Sequence, residues 1–122
     1  MSEISREDVE RYYRKLQKLM EPKGMYFNSD HETVMDLLES LLINMKRYGY
    51  ASCPCRLASG NYEADRDIIC PCVYAWPDVE EYGSCYCHLY VSKDWNEGRI
   101  PRVHVPERRP REKVEAALEH LV

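Results

Sequence analysis

The residues of this sequence best suited to chemistry are its six cysteines, which form three Cys-x-Cys pairs. The pairs are Cys53-Pro54-Cys55, Cys70-Pro71-Cys72 and Cys85-Tyr86-Cys87. A gap of one residue strains a disulfide within a pair, because a disulfide needs a suitable Cα separation and torsion. We therefore expect each pair to engage another pair or a metal. Six sulfurs exceed a four-ligand site by two, which leaves two thiols for redox chemistry.

Three kinds of site use clustered cysteines. Structural zinc usually takes four ligands from knuckles with wider Cys-x₂₋₄-Cys spacing, although two zinc ions sharing thiolates are a further alternative. Three structural disulfides suit a secreted miniprotein better than a helix-rich cytosolic chain. An iron–sulfur cluster needs four thiolates in a compact, largely apolar shell. Residues of that kind flank the pairs: Ile68, Ile69, Val73, Tyr74, Trp76, Leu89, Tyr90 and Val91.

An iron–sulfur site would leave two cysteines over, each one residue away from a ligand. Pro54 and Pro71 lack an N–H and fix φ, which stiffens the loops that carry the pairs. The spare thiols would therefore be held near the cluster and near each other. A dithiol beside a one-electron carrier is suited to reducing a disulfide in two single-electron steps.

Two amphipathic helices are predicted before the first pair. The first begins at the N-cap Ser5 and ends before Pro22. The second begins at a capping box formed by Ser29 and Glu32 and ends at Gly49. Apolar residues at helical spacing are predicted to face the core. They are Val9, Tyr12 or Tyr13, Leu16, Leu19, Met20, Val34, Leu37, Leu38, Leu41, Leu42, Met45 and Tyr48.

Short helices are predicted to carry the chain from one cysteine pair to the next. Two helical turns are expected over residues 62–69, after Asn61. Another short helix is expected over residues 77–82, with Pro77 at its first position and Gly83 after its end.

The part of the chain after the second short helix is less regular. Residues 85–91 fit either a short strand or a helical turn. Residues 92–110 contain three prolines and are predicted to be extended. A last helix over about residues 111–121 is expected to pack through its apolar positions, which are Val114, Ala117, Leu118 and Leu121.

Length and composition limit the class of protein. The chain has 122 residues and a net charge of −4, which predicts one domain, residues 1–122, and argues against a general nucleic-acid binder. Residues 1–10 are charged, so no signal peptide is expected, and no apolar run approaches the roughly 20 residues of a membrane span. We expect a cytoplasmic, mainly α protein, a small single domain of short helices and loops wrapped around an iron–sulfur cluster.

The ordered pairs resemble the catalytic chain of ferredoxin:thioredoxin reductase, particularly its archaeal and bacterial members. The similarity covers about residues 25–95 and includes the arginine after the first pair, Arg56. It implies a 4Fe–4S cluster and an enzyme that passes electrons one at a time from ferredoxin to thioredoxin-like proteins. It also implies a role for each cysteine.

By this resemblance, four cysteines are the cluster ligands and two form a redox-active disulfide. The implied ligands are Cys53, Cys70, Cys72 and Cys85. Cys55 and Cys87 are implied to form the disulfide, with Cys55 attacking the target and Cys87 staying beside the cluster. Arg56 is either a group that favours the Cys55 thiolate or an ordinary surface arginine.

The sequence departs from the family pattern in two respects. The third pair commonly encloses a histidine, whereas Tyr86 stands there and a histidine follows at His88. His88 is therefore a candidate proton donor, with Tyr86 as the alternative and a partly buried histidine packed beside Trp76 or Tyr90 as the structural interpretation. The intervals between the pairs also differ from those of the plant-type chains.

The resemblance also implies binding partners. The expected partners are ferredoxin, a thioredoxin-like protein and a possible second subunit, with no nucleic acid and no membrane. A basic C-terminal region is either a docking patch for an acidic ferredoxin or a solvated face. It contains Arg99, Arg102, Arg108, Arg109, Arg111 and Lys113. The alternative function is a non-enzymatic metal-binding or redox-sensing module in which all six cysteines are structural ligands.

Overall fold

The computed structural model describes residues 4–119, and helices form most of its regular structure. The mainly α fold class is thereby confirmed. The helices are α1 Arg6–Met20, α2 His31–Tyr48, α3 Tyr62–Asp65, α4 Ala75–Tyr82, α5 Lys93–Asn96 and α6 Arg111–Glu119. Strands β1 Tyr26–Phe27 and β2 Tyr90–Val91 pair antiparallel, and 3₁₀ turns cover Glu21–Lys23 and Arg66–Ile68. Within residues 4–119, no helix has both the length and the apolar character needed to cross a membrane.

Helix α1 begins and ends where the local sequence predicted. The Ser5 side chain accepts from Asp8 N at 3.0 Å and the Asp8 carboxylate accepts from Ser5 N at 3.2 Å, which is a complete capping box. The helix ends at Met20, and Pro22 lies in the following 3₁₀ turn. Both signals are local, so neighbouring parts of the chain do not override them.

The predicted start of α2 is wrong by one residue. Asp30, not Ser29, is the N-cap, and its side chain accepts from Thr33 N. The Ser29 amide instead donates to Asn96 Oδ1 at 2.9 Å. The local cap at Asp30 therefore defines this helix start, while the Ser29 amide contacts a distant segment. The predicted end is confirmed, because Gly49 adopts φ +88° and caps the helix.

The core forms between α1, α2 and the small sheet. Most of the predicted apolar positions of α1 and α2 are buried or pack against this core. The exceptions are Leu19 and Met45, with 53% and 42% of their surface exposed, and half-buried Tyr48, which stacks on Tyr50 outside this core cluster. Met35 is a buried residue that the pattern missed. Tyr13, Phe27 and Tyr90 stack in series, with ring centroids 4.7 and 5.4 Å apart. This stack connects α1 through the sheet to the segment that follows the third cysteine pair.

The short helices between the pairs occur as predicted, with one shifted boundary. Asn61 caps α3, and the 3₁₀ turn Arg66–Ile68 continues it. Helix α4 starts at Ala75, which places Pro77 third rather than first. Proline is tolerated there because the first N–H groups of a helix have no intrahelical partner. Gly83 ends α4 with φ +83°.

After residue 85, the structure decides between the strand and the helical turn predicted for residues 85–91. It also corrects the extended segment predicted over residues 92–110. Residues 85–91 end in the strand Tyr90–Val91. The segment 92–110 is not extended throughout, because Ser92 caps the helical turn α5 by accepting from Trp95 N at 3.1 Å. In α6, Ala117 is buried and Val114 half-buried, but Leu118 is 52% exposed. Leu121 lies outside the described residues.

Candidate functional site

Backbone hydrogen bonds bring the first and second cysteine pairs together. Cys53 N donates to Ile68 O at 2.7 Å, and Cys70 N donates to Ala51 O at 2.8 Å. These bonds flank an antiparallel bridge between Ser52 and Ile69. The loop after α2 and the chain after α3 therefore run side by side where they deliver Cys53 and Cys70.

The third pair is held by a turn that returns the chain to the sheet. Cys85 N donates to Tyr90 O at 2.9 Å, and His88 N donates to Cys85 O at 2.9 Å. Tyr90 N lies 3.4 Å from Cys85 Sγ, which fixes that sulfur from the strand side. Helix α4 spans from the second pair to this turn, so its length sets the separation of the two pairs.

Five of the six cysteines line one cavity. It contains about 320 Å³ of space between the protein atoms, part of it open to solvent. The sixth, Cys55, is exposed and does not line the cavity. The lining residues are Cys53, Pro54, Arg56, Cys70, Pro71, Cys72, Ala75, Cys85, Tyr86, Cys87, Leu89 and Tyr90. The predicted apolar shell is correct for Leu89 and Tyr90, whereas Val73 and Trp76 are exposed.

Two of the cavity sulfurs are in hydrogen-bond contact, and both affect the pKa of the exposed Cys55. Cys53 Sγ and Cys87 Sγ are 3.0 Å apart. The pKa of Cys55 is lowered, because the thiols of Cys53 and Cys87 hydrogen-bond to it. The pKa of Cys53 is raised by its bond to Cys55, and that of Cys87 by its bonds to Cys53 and Cys55. Negative charge is therefore most stable on the exposed Cys55.

The deeper sulfurs disfavour the thiolate form. Burial raises the pKa of Cys70, and the charges of Cys53 and Cys85 raise it further. Burial also raises the pKa of Cys72, and it raises that of Cys85 to about 11. Several thiolates held close together repel one another unless a cation lies among them. A bound metal supplies that positive charge and deprotonates the thiols that coordinate it. The donor set therefore suits a metal cluster bound through thiolates.

A buried tyrosine hydroxyl also favours a bound group in the cavity, one that can accept a hydrogen bond. The Tyr90 hydroxyl is buried and has no hydrogen-bond partner among the described residues, and Tyr90 lines the cavity. Buried hydroxyls normally have a partner.

Within residues 4–119, no group of three or more His, Cys, Asp or Glu side chains has the geometry to hold a single metal ion.

Arg56 is buried within the site and is not a surface arginine. Its Nη1 lies 3.3 Å from Cys72 Sγ and 3.9 Å from Cys53 Sγ. Its Nε and Nη2 donate to the Glu107 carboxylate at 2.8–3.0 Å. Its charge also contributes to lowering the pKa of Cys55, but less than the neighbouring thiols do. Sequence reasoning missed Glu107 as a site residue, and the only signal was an acid within a basic region.

His88 and Tyr86 occupy different environments. His88 has φ +60°, its Nδ1 lies 2.6 Å from Ser84 Oγ, and its ring stacks on Trp95 at 5.8 Å. His88 is partly buried, as the structural interpretation expected, and the ring it stacks on is that of Trp95. Within residues 4–119, no hydrogen bond joins the His88 side chain to a cysteine sulfur. The Tyr86 ring lies 4.6 Å from the Arg56 guanidinium.

The basic C-terminal region is largely tied to the protein itself. We call residues 101–110 the C-terminal strap. Arg109 is buried and bonds to Asp67 at 2.9 Å, while Arg108 bonds to Asp78 and Glu81, both at 2.7 Å. These ion pairs neutralise much of the positive charge that a docking patch for an acidic ferredoxin would need.

The fold and the site together define a small helical protein whose core encloses a cysteine-lined cavity beside one exposed thiol. A family model described as the ferredoxin thioredoxin reductase catalytic beta chain matches residues 2–109 of the 122. The chain belongs to this family, which confirms the resemblance drawn from the cysteine pairs. The matched range includes all six cysteines, Arg56 and Glu107. A search of curated proteins found no match.

Proposed function

We propose that this protein is an iron–sulfur disulfide reductase that takes electrons from ferredoxin and reduces thioredoxin-like proteins. Family membership supports a disulfide reductase role. The observation that carries the proposal is the division of the six cysteines, since Cys55 alone is exposed and outside the cavity. That division supports one nucleophilic thiol beside a buried group of ligands.

The proposed ligands of a 4Fe–4S cluster are Cys53, Cys70, Cys72 and Cys85. When bound, such a cluster accepts and passes on single electrons. Cys87 lines the same cavity and is the proposed partner of Cys55 in the redox-active disulfide. The alternative in which all six cysteines are structural ligands has less support, because Cys55 lies outside the cavity.

The proposed chemistry on the target is thiol–disulfide exchange. The Cys55 thiolate attacks one sulfur of the target disulfide, which forms a mixed disulfide and releases one target thiolate. Cys87 Sγ then attacks Cys55 Sγ, which releases the second target thiolate and closes the Cys55–Cys87 disulfide. Two electrons, supplied singly by two ferredoxins, and two protons complete each turnover. His88 is the proposed proton donor, through Nε2, since Nδ1 is bound to Ser84.

The proposal is tested by Cys55→Ser in anaerobically purified protein. We expect this variant to keep the iron and sulfide content of the wild type and to lose thioredoxin reduction with reduced ferredoxin. Cys70→Ser is the matched comparison, because it is the same substitution at a proposed ligand, and we expect it to lose iron. Loss of iron from Cys55→Ser, or an iron-replete Cys70→Ser, would contradict the ligand assignment.

A further inference from the structure

The Arg56 guanidinium has polar partners at Nε, Nη1 and Nη2 and two aromatic rings close to it. One edge donates to Glu107, as described above, and Nη1 faces the sulfurs of Cys72 and Cys53. The rings of Tyr74 and Tyr86 lie 5.1 and 4.6 Å from the guanidinium carbon. The side chain is 2% exposed, so water does not substitute for these partners.

The arginine is held as a cation in this environment. Arginine keeps its proton in proteins, and its charge here lies beside the Glu107 carboxylate and the sulfurs of Cys72 and Cys53. A buried charge without a partner is strongly destabilising, so Glu107 offsets a cost that Arg56 would otherwise impose. Because a guanidinium is a planar fork, a carboxylate on its Nε edge directs Nη1 away from itself. In this protein Nη1 is directed at sulfur.

We infer that Arg56, positioned by Glu107, raises the reduction potential of the redox centre bound by Cys53 and Cys72. This inference rests on the proposed function for the presence of that centre. Reduction adds negative charge to a centre whose ligands are already anionic. A cation with its N–H directed at two ligand sulfurs stabilises the reduced state more than the oxidised one, and hydrogen bonds to sulfur act in the same sense.

Two features make this role specific to the arginine. Glu107 belongs to the C-terminal strap, far in sequence from the cysteine loops, so the strap itself positions the charge. Tyr86 stands where the family commonly has histidine and places its ring against Arg56. A purely structural brace would also fill this space, but it would affect stability and not the potential.

The test is an anaerobic redox titration of the iron-loaded full chain, followed by visible absorption. We expect Arg56→Gln to shift the midpoint potential to a more negative value. Arg56→Lys keeps the charge but loses the fork, so we expect a smaller shift in the same direction. Arg111→Gln makes the same chemical change at a side chain that is 88% exposed, and we expect the wild-type potential. A wild-type potential in both Arg56 variants would overturn the inference, and so would an equal shift in Arg111→Gln.

Glu107→Gln tests whether Glu107 positions Arg56. It also keeps the inference testable if Arg56→Gln fails to load iron. We expect its effect on the potential to differ between the wild-type and Arg56→Lys backgrounds, because coupled residues are non-additive. Equal effects in the two backgrounds would exclude positioning through Arg56. If the wild type binds no iron, the proposed function fails and this inference with it. If the wild type binds iron and reduces thioredoxin while the Arg56 variants keep its potential, only this inference fails.

Discussion

Residues of one type acquire different chemistry here through their surroundings. Cys53 and Cys55 are two positions apart, yet Cys53 is buried against Arg56 and Cys87 while Cys55 is exposed. Pro54 between them turns the chain so that one sulfur lines the cavity and the next does not. In the proposed reductase, this Cys-x-Cys pair supplies a cluster ligand, Cys53, and the nucleophile, Cys55.

His88 provides a test of proton transfer at the scale of one residue. We expect His88→Asn to lower thioredoxin reduction about 100-fold, the lower range for loss of a general acid. Its melting temperature should stay close to that of the wild type, because asparagine tolerates the positive φ found at this position. The measurements are steady-state turnover and thermal unfolding.

Tyr86→Phe is the matched control for the proton donor. It removes the hydroxyl while keeping the ring near Arg56, so we expect turnover near that of the wild type. If Tyr86→Phe loses activity and His88→Asn retains it, the tyrosine is the donor and the assignment to His88 is wrong.

At the scale of elements, the C-terminal strap connects the site to the rest of the fold. Arg102 lies 3.9 Å from the Trp95 ring and donates to Trp95 O, and Trp95 in turn stacks on His88. Glu107 binds Arg56, and Arg109 binds Asp67. The strap has little regular structure, so these side chains position it.

Two arginines of the same basic region, one in the strap and one just after it, are expected to differ strongly in their contribution to stability. Arg109 is 5% exposed and also donates to Leu57 O and Ala64 O. We expect Arg109→Gln to lower the free energy of unfolding by about 3 kcal/mol or more, since it leaves buried Asp67 without its closest cation. We expect Arg111→Gln to cost about 0.3–0.5 kcal/mol, the value of an exposed i,i+4 pair. Denaturant unfolding measures both, and equal costs would contradict the burial of Arg109.

The sequence predicted those elements whose signals are local. Ser5 with Asp8 defines α1, and Gly49 and Gly83 define helix ends, because each acts within one or two turns. The start of α2 is one residue later than predicted, because Ser29 and Asp30 are both preferred N-cap residues and Asp30 provides the cap, while the Ser29 amide binds Asn96. The burial of Arg109 was not predicted either, because its partner Asp67 is distant in sequence. Long-range polar contacts leave no periodic pattern to detect.

At the scale of the whole molecule, the candidate site is part of the hydrophobic core. Cys72 and Cys85 are buried in the same cluster as the apolar residues of α1 and α2. The sequence predicted that the pairs converge, because their order and spacing are distinctive. It left Arg56 open between a group that favours the Cys55 thiolate and a surface arginine, and it did not predict Glu107, because a lone acid carries no comparable signal.

Iron removal should therefore destabilise the whole fold. We expect chelation of the iron-loaded protein to lower the melting temperature by about 10 °C or more, since ligation contributes to folding and 1 kcal/mol corresponds to about 4 °C at this size. Cys55→Ser is the control, because Cys55 does not line the cavity. With the Cys55–Cys87 disulfide reduced in the wild type, the iron-loaded form of this variant should melt with the wild type, and a chelated wild type that melts unchanged would contradict a cluster in the core.

The division of the six cysteines is tested most directly by mapping their alkylation in iron-loaded protein after disulfide reduction. Peptide analysis identifies which thiols react while the iron content stays constant. We predict that Cys55 reacts first, that Cys87 is the only other reactive thiol, and that the four proposed ligands are protected until iron is removed. Protection of Cys55, or labelling of Cys53, Cys70, Cys72 or Cys85 without loss of iron, would contradict the account.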